Sequence, residues 1–390
     1  MVTLAGQLKS AEQAALAAQT AAGVTISGRH LQRLTQGVGT DLARLRDEQA
    51  ARRRQRAPRV PGPPPVAVVE VDGGRLGTRA AGAGPGVQQP QAKEDKVACL
   101  LSMASTPQAE DPQPQPPAAF RDAPRVARLV RQLKASAAPP ADETADEPAA
   151  AAGPLPGGQR PGHPERRLRT CVASMKPSRE FGRLVAAEAR ARAFYEAPRR
   201  AFLGDGQHYN WRIQQAHFRD FEPIADFIHV LCYLYLAAWA AGTDEASRWR
   251  QFETWMTACW QGRVAEAMTE LAAWQEQLSR PPPGAEPRDP RRLVAEAVTY
   301  LGNNAARMDY PRYRRQGLPV TSSWVESLVG EFNVRVKGWD KWWNRAAGAE
   351  AILQVRAAVL SEDQRLERYF AERSCSPYRR HSPRTGQRIS

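Results

Sequence analysis

The sequence has few cysteines, few aromatic residues and no long apolar run. Its five cysteines are an odd number, widely spread, and include no Cys-x-x-Cys pair, which argues against a disulfide framework or a structural zinc site. The longest apolar run, 227–241, is too short and too interrupted to span a bilayer, which takes roughly 20 residues. The start, Met1 to Gln7, lacks the basic and apolar regions of a signal peptide. We therefore expect neither secretion nor membrane insertion.

Positive charge is in excess. The 390 residues include 55 Lys and Arg against 41 Asp and Glu, a formal net charge of +14. An excess of this size favours a polyanionic partner, either nucleic acid or an anionic membrane surface. The length has room for two or three domains of roughly 100–200 residues each.

Composition and periodicity divide the chain into successive segments. We predict a helical segment (1–57), a Pro-rich linker (58–65), alternating strands and helices (66–232) with a flexible low-complexity insertion (135–164), a Trp-rich helical stretch (233–300), a further helical part (301–374) and a basic disordered tail (375–390). The predicted strands are 66–71, 96–103, 169–174 and 200–203, and the predicted helices of the central region are 120–134, 178–196, 230–280 and 289–301. This order indicates an α/β core with a helical insertion or extension.

The first 57 residues predict three helices. Ser27 can cap the second helix, which runs through Leu34, and Asp41 starts the third after two glycines. A helix, a short turn and a second helix that carries Arg33 resemble a helix-turn-helix that reads DNA. An ordinary helical hairpin with a solvated polar face remains the alternative.

Two carboxylates, Asp72 and Asp205, each follow an apolar strand and precede a glycine. Side chains at strand ends in α/β sheets lie beside a crevice, and glycine lets a ligand approach the backbone. Two aspartates and a third acid can hold two Mg²⁺ ions for phosphodiester chemistry. A second interpretation stays open, because Asp-Gly is also a common turn dipeptide.

Glu326 is the candidate third acid. A serine at 322 or 323 can cap its helix and place Glu326 in the first two turns. A glutamate there also commonly compensates the helix dipole. The same helix continues into a basic surface suited to a DNA backbone, formed by Arg335, Lys337 and Lys341.

Basic and aromatic residues alternate just before Glu326. Arg312, Arg314 and Arg315 are interleaved with two tyrosines, a pattern that favours contact with a DNA strand near a metal site. The alternative is a solvated charged loop. The tryptophans of 233–300 favour a helical core, with stacking on DNA bases as the functional alternative.

Six segments resemble, in the same order, the DDE transposases of bacterial insertion sequences of the Kra-type group, which are related to ISL-type and Mutator-like transposases. They are VVEVDGGRLGTR (68–79), EDKVACLLSM (94–103), AFLGDGQHYNWRIQQAHF (201–218), PIADFIHVLCYLY (223–235), YLGNNAARMDYPRYRRQGLPVTSSWVESLVGEFNVRVKGWDKWW (300–343) and GAEAILQVRAAVLSED (348–363). The resemblance spans about 66 to 370, most of the chain.

The resemblance implies an RNase H-like catalytic core, a mixed sheet flanked by helices, with a large helical insertion between the second aspartate and the glutamate. Asp72, Asp205 and Glu326 fall on the catalytic acids of the family, which hold two Mg²⁺ or Mn²⁺ ions. Asp226 and His229 match a DFxH element beside the active site and are expected to support it rather than to bind metal.

The implied activity is metal-dependent cleavage at transposon ends followed by strand transfer to target DNA. The implied partners are double-stranded DNA, both terminal repeats and target, and a second copy of the chain in a homodimer or larger assembly on DNA. The expected location is the bacterial cytoplasm in association with the nucleoid, without a membrane partner. The alternative is a truncated or domesticated remnant that binds DNA without catalysis, and a third is another RNase H-like nuclease.

Overall fold

The computed structural model describes residues 1–52, 62–78, 91–139, 164–321, 343 and 346–373. The strands in these residues are β1 (Val66–Thr78), β2 (Gln91–Ala104), β3 (Glu165–Ser174), β4 (Arg199–Gly204) and β5 (Glu222–Ala225). They form one open mixed sheet in the order β3-β2-β1-β4-β5, flanked by helices. The prediction of an α/β core is confirmed at this level.

Helices account for most of the remaining described residues. They are α1 (Val2–Gln7), α2 (Ala11–Ala22), α3 (Gly28–Ala51), α4 (Ala123–Leu133), α5 (Ser178–Ala191), α6 (His208–His217), α7 (Phe227–Ala241), α8 (Glu245–Trp260), α9 (Val264–Leu278), α10 (Pro290–Asn304), α11 (Tyr310–Arg315), α12 (Ala346–Leu360) and α13 (Arg365–Glu372). Among the described helices, none combines the length and apolarity that a membrane crossing requires.

The sheet combines antiparallel and parallel pairing. β2 pairs antiparallel with β1 and β3, whereas β4 pairs parallel with β1 and β5. The register sets Val71 opposite Gly204 and Gly204 opposite Ala225. Val71 of β1 and the carboxyl ends of β4 and β5 therefore lie side by side across the sheet.

Both faces of the sheet are buried, as the Val-rich strands predict. Val66 and Val68 of β1 face a large apolar cluster that includes residues of α4, α7, α8, α10 and α12. Ala67 and Val69, which alternate with them, face a second cluster built from α5 and α6.

β1 is longer than predicted. We expected the strand to end at Asp72, but it continues to Thr78 because it pairs with β2, with Asp72 opposite Val97. The parallel pairing with β4 does stop at Val71. Asp72 thus lies where β4 and β5 end and the sheet continues with β1, β2 and β3 only.

The prediction of a helix break between residues 34 and 41 is wrong, because α3 runs without interruption from Gly28 to Ala51. A Cβ atom at Gly39 would lie 1.9 Å from the carbonyl oxygen of Ala351 in α12. The glycine therefore allows two helices to cross closely rather than ending one of them. Farther along α3, Arg46 donates hydrogen bonds to the Ala173 carbonyl oxygen of β3, at 3.1 Å, and to Glu350 of α12, at 2.8 Å. The N-terminal helices pack on the core.

The stretch 230–280, predicted to form long helices, contains three of them, α7, α8 and α9. Gly262, with a φ of 77°, makes the turn between α8 and α9. Trp255 and Trp260 are buried, and the partly buried Trp239, Trp249 and Trp274 pack against the same cluster. This placement favours the core interpretation of the tryptophans over base stacking.

Candidate active site

Three aspartates directly follow the last residues through which three neighbouring strands pair in parallel. Asp72 comes after Val71 of β1, Asp205 after Gly204 of β4, and Asp226 after Ala225 of β5. Adjacent strands are about 4.8 Å apart, so the backbones of consecutive members of this row are separated by about one strand spacing. The sheet topology brings together residues that are far apart in sequence.

Asp205 is held by three hydrogen bonds and is only 8% exposed. Its Oδ1 accepts from the Gln207 backbone N–H at 2.9 Å and from Asn210 Nδ2 at 2.7 Å. Its Oδ2 accepts from Gln207 Nε2 at 2.8 Å. Asn210 Nδ2 also reaches the Val71 carbonyl oxygen at 3.3 Å, so one amide links the end of β1 to the carboxylate on β4.

Asp72 lies beside a buried tyrosine. Its Oδ1 accepts from the Gly73 backbone N–H at 2.7 Å. Burial raises the pKa of the Tyr209 hydroxyl, and the negative charges of Asp205 and Asp72 raise it further. A Cβ atom at Gly73 would lie 2.4 Å from Tyr209 Oη. Gly73 therefore leaves the space that this phenol occupies.

Gly206, like Gly73, leaves room for neighbouring side chains. Its φ is 94°, which L side chains rarely adopt, and a Cβ atom there would lie 2.3 Å from Tyr300 Cε2 and 2.9 Å from Asn304 Nδ2. Asn304 is fixed in turn, because its Oδ1 accepts from Trp211 Nε1 at 2.9 Å and its Nδ2 donates to the Tyr300 carbonyl oxygen at 2.9 Å. The glycine lets α10 close against the loop that carries Asp205.

A cleft of about 370 Å³ opens beside Asp205. Tyr233 of α7 and Tyr300 of α10 line it, with their rings stacked at a centroid distance of 4.1 Å and an angle of 20°. The buried Tyr300 hydroxyl has no hydrogen-bond partner among the described residues. Arg292 also lines the cleft and pairs with Glu296 at 2.7 Å. Aromatic rings, a carboxylate and a guanidinium suit a polar ligand with a flat face.

Asp226 caps α7 next to this cleft. It is 1% exposed, and its Oδ1 accepts from the Ile228 backbone N–H at 3.1 Å. Its Oδ2 lies 3.8 Å from His229 Nε2. The Asp226 backbone N–H donates to the Gly204 carbonyl oxygen at 3.0 Å. The placement fits the supporting role predicted for Asp226 and His229, which stays a prediction.

The third acid is not part of this geometry, because Glu326 lies outside the described residues, as do Arg335, Lys337 and Lys341. Within the part of the chain that the structure describes, no group of three or more His, Cys, Asp and Glu side chains is arranged to hold a metal ion. Two of the three predicted acids, Asp72 and Asp205, are among the described residues.

The arginines predicted to contact DNA have different surroundings. Arg314 is 5% exposed and is bound by Asp111, with Nε to Oδ1 at 2.8 Å and Nη2 to Oδ2 at 2.5 Å. Its guanidinium also lies 4.2 Å from the Trp260 ring centroid. A buried, bidentate pair of this kind leaves no cation for phosphate, so Arg314 is a structural residue and the DNA-contact prediction for it needs correction.

Arg312, Arg315 and Arg33 remain at the surface to different degrees. Arg312 donates to both carboxylate oxygens of Glu222, at 3.0 and 2.8 Å, so its charge is partly compensated. Arg315 is half-buried, and Arg33 is exposed on α3. DNA contact by these three stays a prediction.

Sequence reasoning missed Tyr209, Asn210 and Tyr300. The first two follow the Asp-Gly of 205–206 within the sequence GQHYN, in the first turn of α6. Polar side chains one turn after a strand-end aspartate could have indicated groups that hold it. Tyr300 comes from α10, 95 positions after Asp205 (300 − 205), and no local pattern indicates it.

The chain matches no protein-family model, and a search of curated proteins gives no significant match. The site therefore has to be interpreted from its own residues.

Proposed function

We propose that this protein is a DDE transposase that cuts DNA in a metal-dependent reaction and joins the freed end to target DNA. The observation that carries the proposal is the position of Asp72 and Asp205 directly after Val71 and Gly204, where the parallel pairing of β1 and β4 ends, with Asp205 lining an open cleft. Strand ends of this kind are where open α/β sheets bind ligands. The strand order and the antiparallel β1-β2-β3 region are compatible with an RNase H-like core.

The donor set fits a hard divalent cation. Mg²⁺ and Mn²⁺ prefer carboxylate oxygens, and Asp72 and Asp205 would hold them together with Glu326. The hydrogen bonds from Gln207 and Asn210 fix the Asp205 carboxylate, as outer partners of metal ligands commonly do. Bound there, two such ions supply charge stabilisation at the phosphodiester and a more acidic attacking water or 3′-hydroxyl.

The protein's own residues then position the substrate. The basic excess of the chain attracts DNA, and the stacked Tyr233 and Tyr300 rings offer a surface for a nucleotide next to Asp205.

The test is a cleavage assay on labelled DNA that carries the sequences flanking the gene, with Mg²⁺, Mn²⁺ or EDTA. We expect nicking that requires the metal and that is lost in Asp72→Ala and Asp205→Ala. Asp220→Ala is the matched control, because Asp220 is exposed in the turn before β5 at the other end of the sheet.

Retained cutting in Asp205→Ala would contradict the assignment. Salt-sensitive binding without cutting by the wild type would instead select the DNA-binding remnant. Cutting without joining of the freed end to target DNA would select a nuclease.

A further inference from the structure

Helix α4 carries a row of cations. Arg125, Arg128 and Arg131 follow at three-residue intervals, and Lys134 continues the spacing at the end of the helix. Val126 and Val130 are buried on the opposite side. Residues three apart are neighbours on a helix surface, so the three arginines form one continuous basic stripe.

The stripe lacks compensating carboxylates. Within the part of the chain that the structure describes, the side chains of Arg125, Arg128 and Arg131 form no ion pair. The nearest acid in sequence, Asp122, is the N-cap of α4, and its carboxylate accepts from the Arg125 backbone N–H at 3.1 Å. Arg314, by contrast, is paired with Asp111. The charge of α4 is therefore available to a partner.

The C-terminal end of α4 reaches the candidate active site. Lys134 Nζ donates to Tyr233 Oη at 2.9 Å and lies 4.1 Å from the centroid of the Tyr233 ring. Tyr233 stacks on Tyr300, and both line the cleft with Asp205. Direct contacts thus connect the basic stripe to the candidate active site.

We infer that α4 binds the sugar-phosphate backbone of DNA and directs a strand toward Asp205. The inference rests on the proposed function for the identity of the polyanion. From Arg125 to Lys134 the helix rises about 14 Å, at about 1.5 Å per residue, so the row extends over more than one phosphate of a DNA strand. Guanidinium groups suit phosphate oxygens.

The experiment compares DNA binding by the full chain and by the triple variant Arg125→Gln/Arg128→Gln/Arg131→Gln. Binding to a labelled duplex is followed by fluorescence anisotropy in EDTA over a range of KCl concentrations. The matched control removes the same charge on the other side of the sheet, where Arg179 and Arg183 of α5 and Arg219 after α6 are all exposed. Circular dichroism melting confirms that both variants fold.

Losing three phosphate contacts should reduce the slope of log K against log salt by about 3, at about 0.9 per contact. The control should keep the wild-type slope within about one contact. An unchanged slope in the α4 variant overturns the inference, as does an equal reduction in the control. The inference is also overturned if the wild type does not bind DNA. It is overturned as well if the triple variant loses binding to phosphatidylserine vesicles but not to DNA.

The assay contains no metal, so its outcome is independent of catalysis. A reduced slope in a protein that never cuts DNA keeps the inference and removes the proposed enzymatic function. Metal-dependent cutting together with an unchanged slope removes the inference alone.

Discussion

Replacing Gly206 with alanine should destabilise the fold and disturb the candidate site together. The backbone at Gly206 has a φ of 94°, and left-handed conformations cost L residues roughly 1–2 kcal/mol. The new Cβ atom would also lie 2.3 Å from Tyr300 Cε2, and overpacking of this kind costs about 1–3 kcal/mol. The sum is about 2–5 kcal/mol lost from the free energy of unfolding.

Gly302 provides a matched control. It is exposed in α10, two residues before that helix ends at Asn304, and a Cβ atom there would meet nothing within 4 Å. Gly302→Ala should therefore stabilise the protein by about 0.5–1 kcal/mol through helix propensity. The two Gly→Ala substitutions should therefore change the free energy of unfolding in opposite directions.

Urea denaturation monitored by circular dichroism measures both variants, with the m-value as a check on two-state behaviour. The Gly206 variant should unfold at a clearly lower urea concentration than the wild type. A Gly206→Ala protein within about 1 kcal/mol of the wild type would refute the steric reasoning.

Three further predictions concern stability. Gly39→Ala should lower the free energy of unfolding by about 1–3 kcal/mol or more, because its Cβ would lie 1.9 Å from a backbone oxygen of the facing helix. Gly37→Ala is the control in the same helix and should stabilise the protein, because its Cβ would meet open space. Equal effects of the two substitutions in urea denaturation would contradict this prediction. Arg314→Gln leaves the Asp111 carboxylate without its charge partner and should cost about 3–5 kcal/mol, whereas a loss below about 1 kcal/mol in the same assay would count against the buried pair. Burial acts to raise the pKa of Asp363, but three arginines outweigh it and hold the pKa at about 2, below the ordinary 3.8. This carboxylate therefore stabilises the fold above pH 3.8 and loses its contribution as the pH falls toward 2; Asp363→Asn should flatten that part of the stability-pH curve, and an unchanged curve would argue against it.

Local patterns predicted much of the sheet. The Val-rich run 66–71 and the run 96–103 lie within β1 and β2, and the Asp-Gly pair at 205–206 directly follows the end of β4. Local patterns could not predict which strands pair with one another. The extension of β1 to Thr78 depends on β2, which supplies hydrogen-bond partners beyond the end of β4.

Local rules also misread the effect of two glycines on a helix, because that effect depends on tertiary contacts. The pair at 37 and 39 predicted a helix break, yet α3 continues because Gly39 faces the backbone of α12. The same limit applies to the candidate site. Asp72 and Asp205 were identifiable from strand ends, but Tyr300 enters the site from a helix far along the chain.

Arg314 illustrates why a charge pattern alone is ambiguous. Its sequence neighbours are basic and aromatic, which is typical of a DNA-binding loop. In the fold it is bound by Asp111, 203 residues earlier, and becomes part of the core. The arginines of α4 form no such pair, although their helix was predicted only as amphipathic.

The most direct test of the central claim, that Asp72 and Asp205 form one metal-dependent site, is single-turnover DNA cleavage by Asp72→Asn, Asp205→Asn and the double variant, with Mg²⁺. Residues that act as a unit have non-additive effects. We predict that each single variant falls to the background rate seen in EDTA and that the double variant is no slower than either. Cutting at the wild-type rate by either single variant, or losses that multiply in the double variant, would contradict the claim.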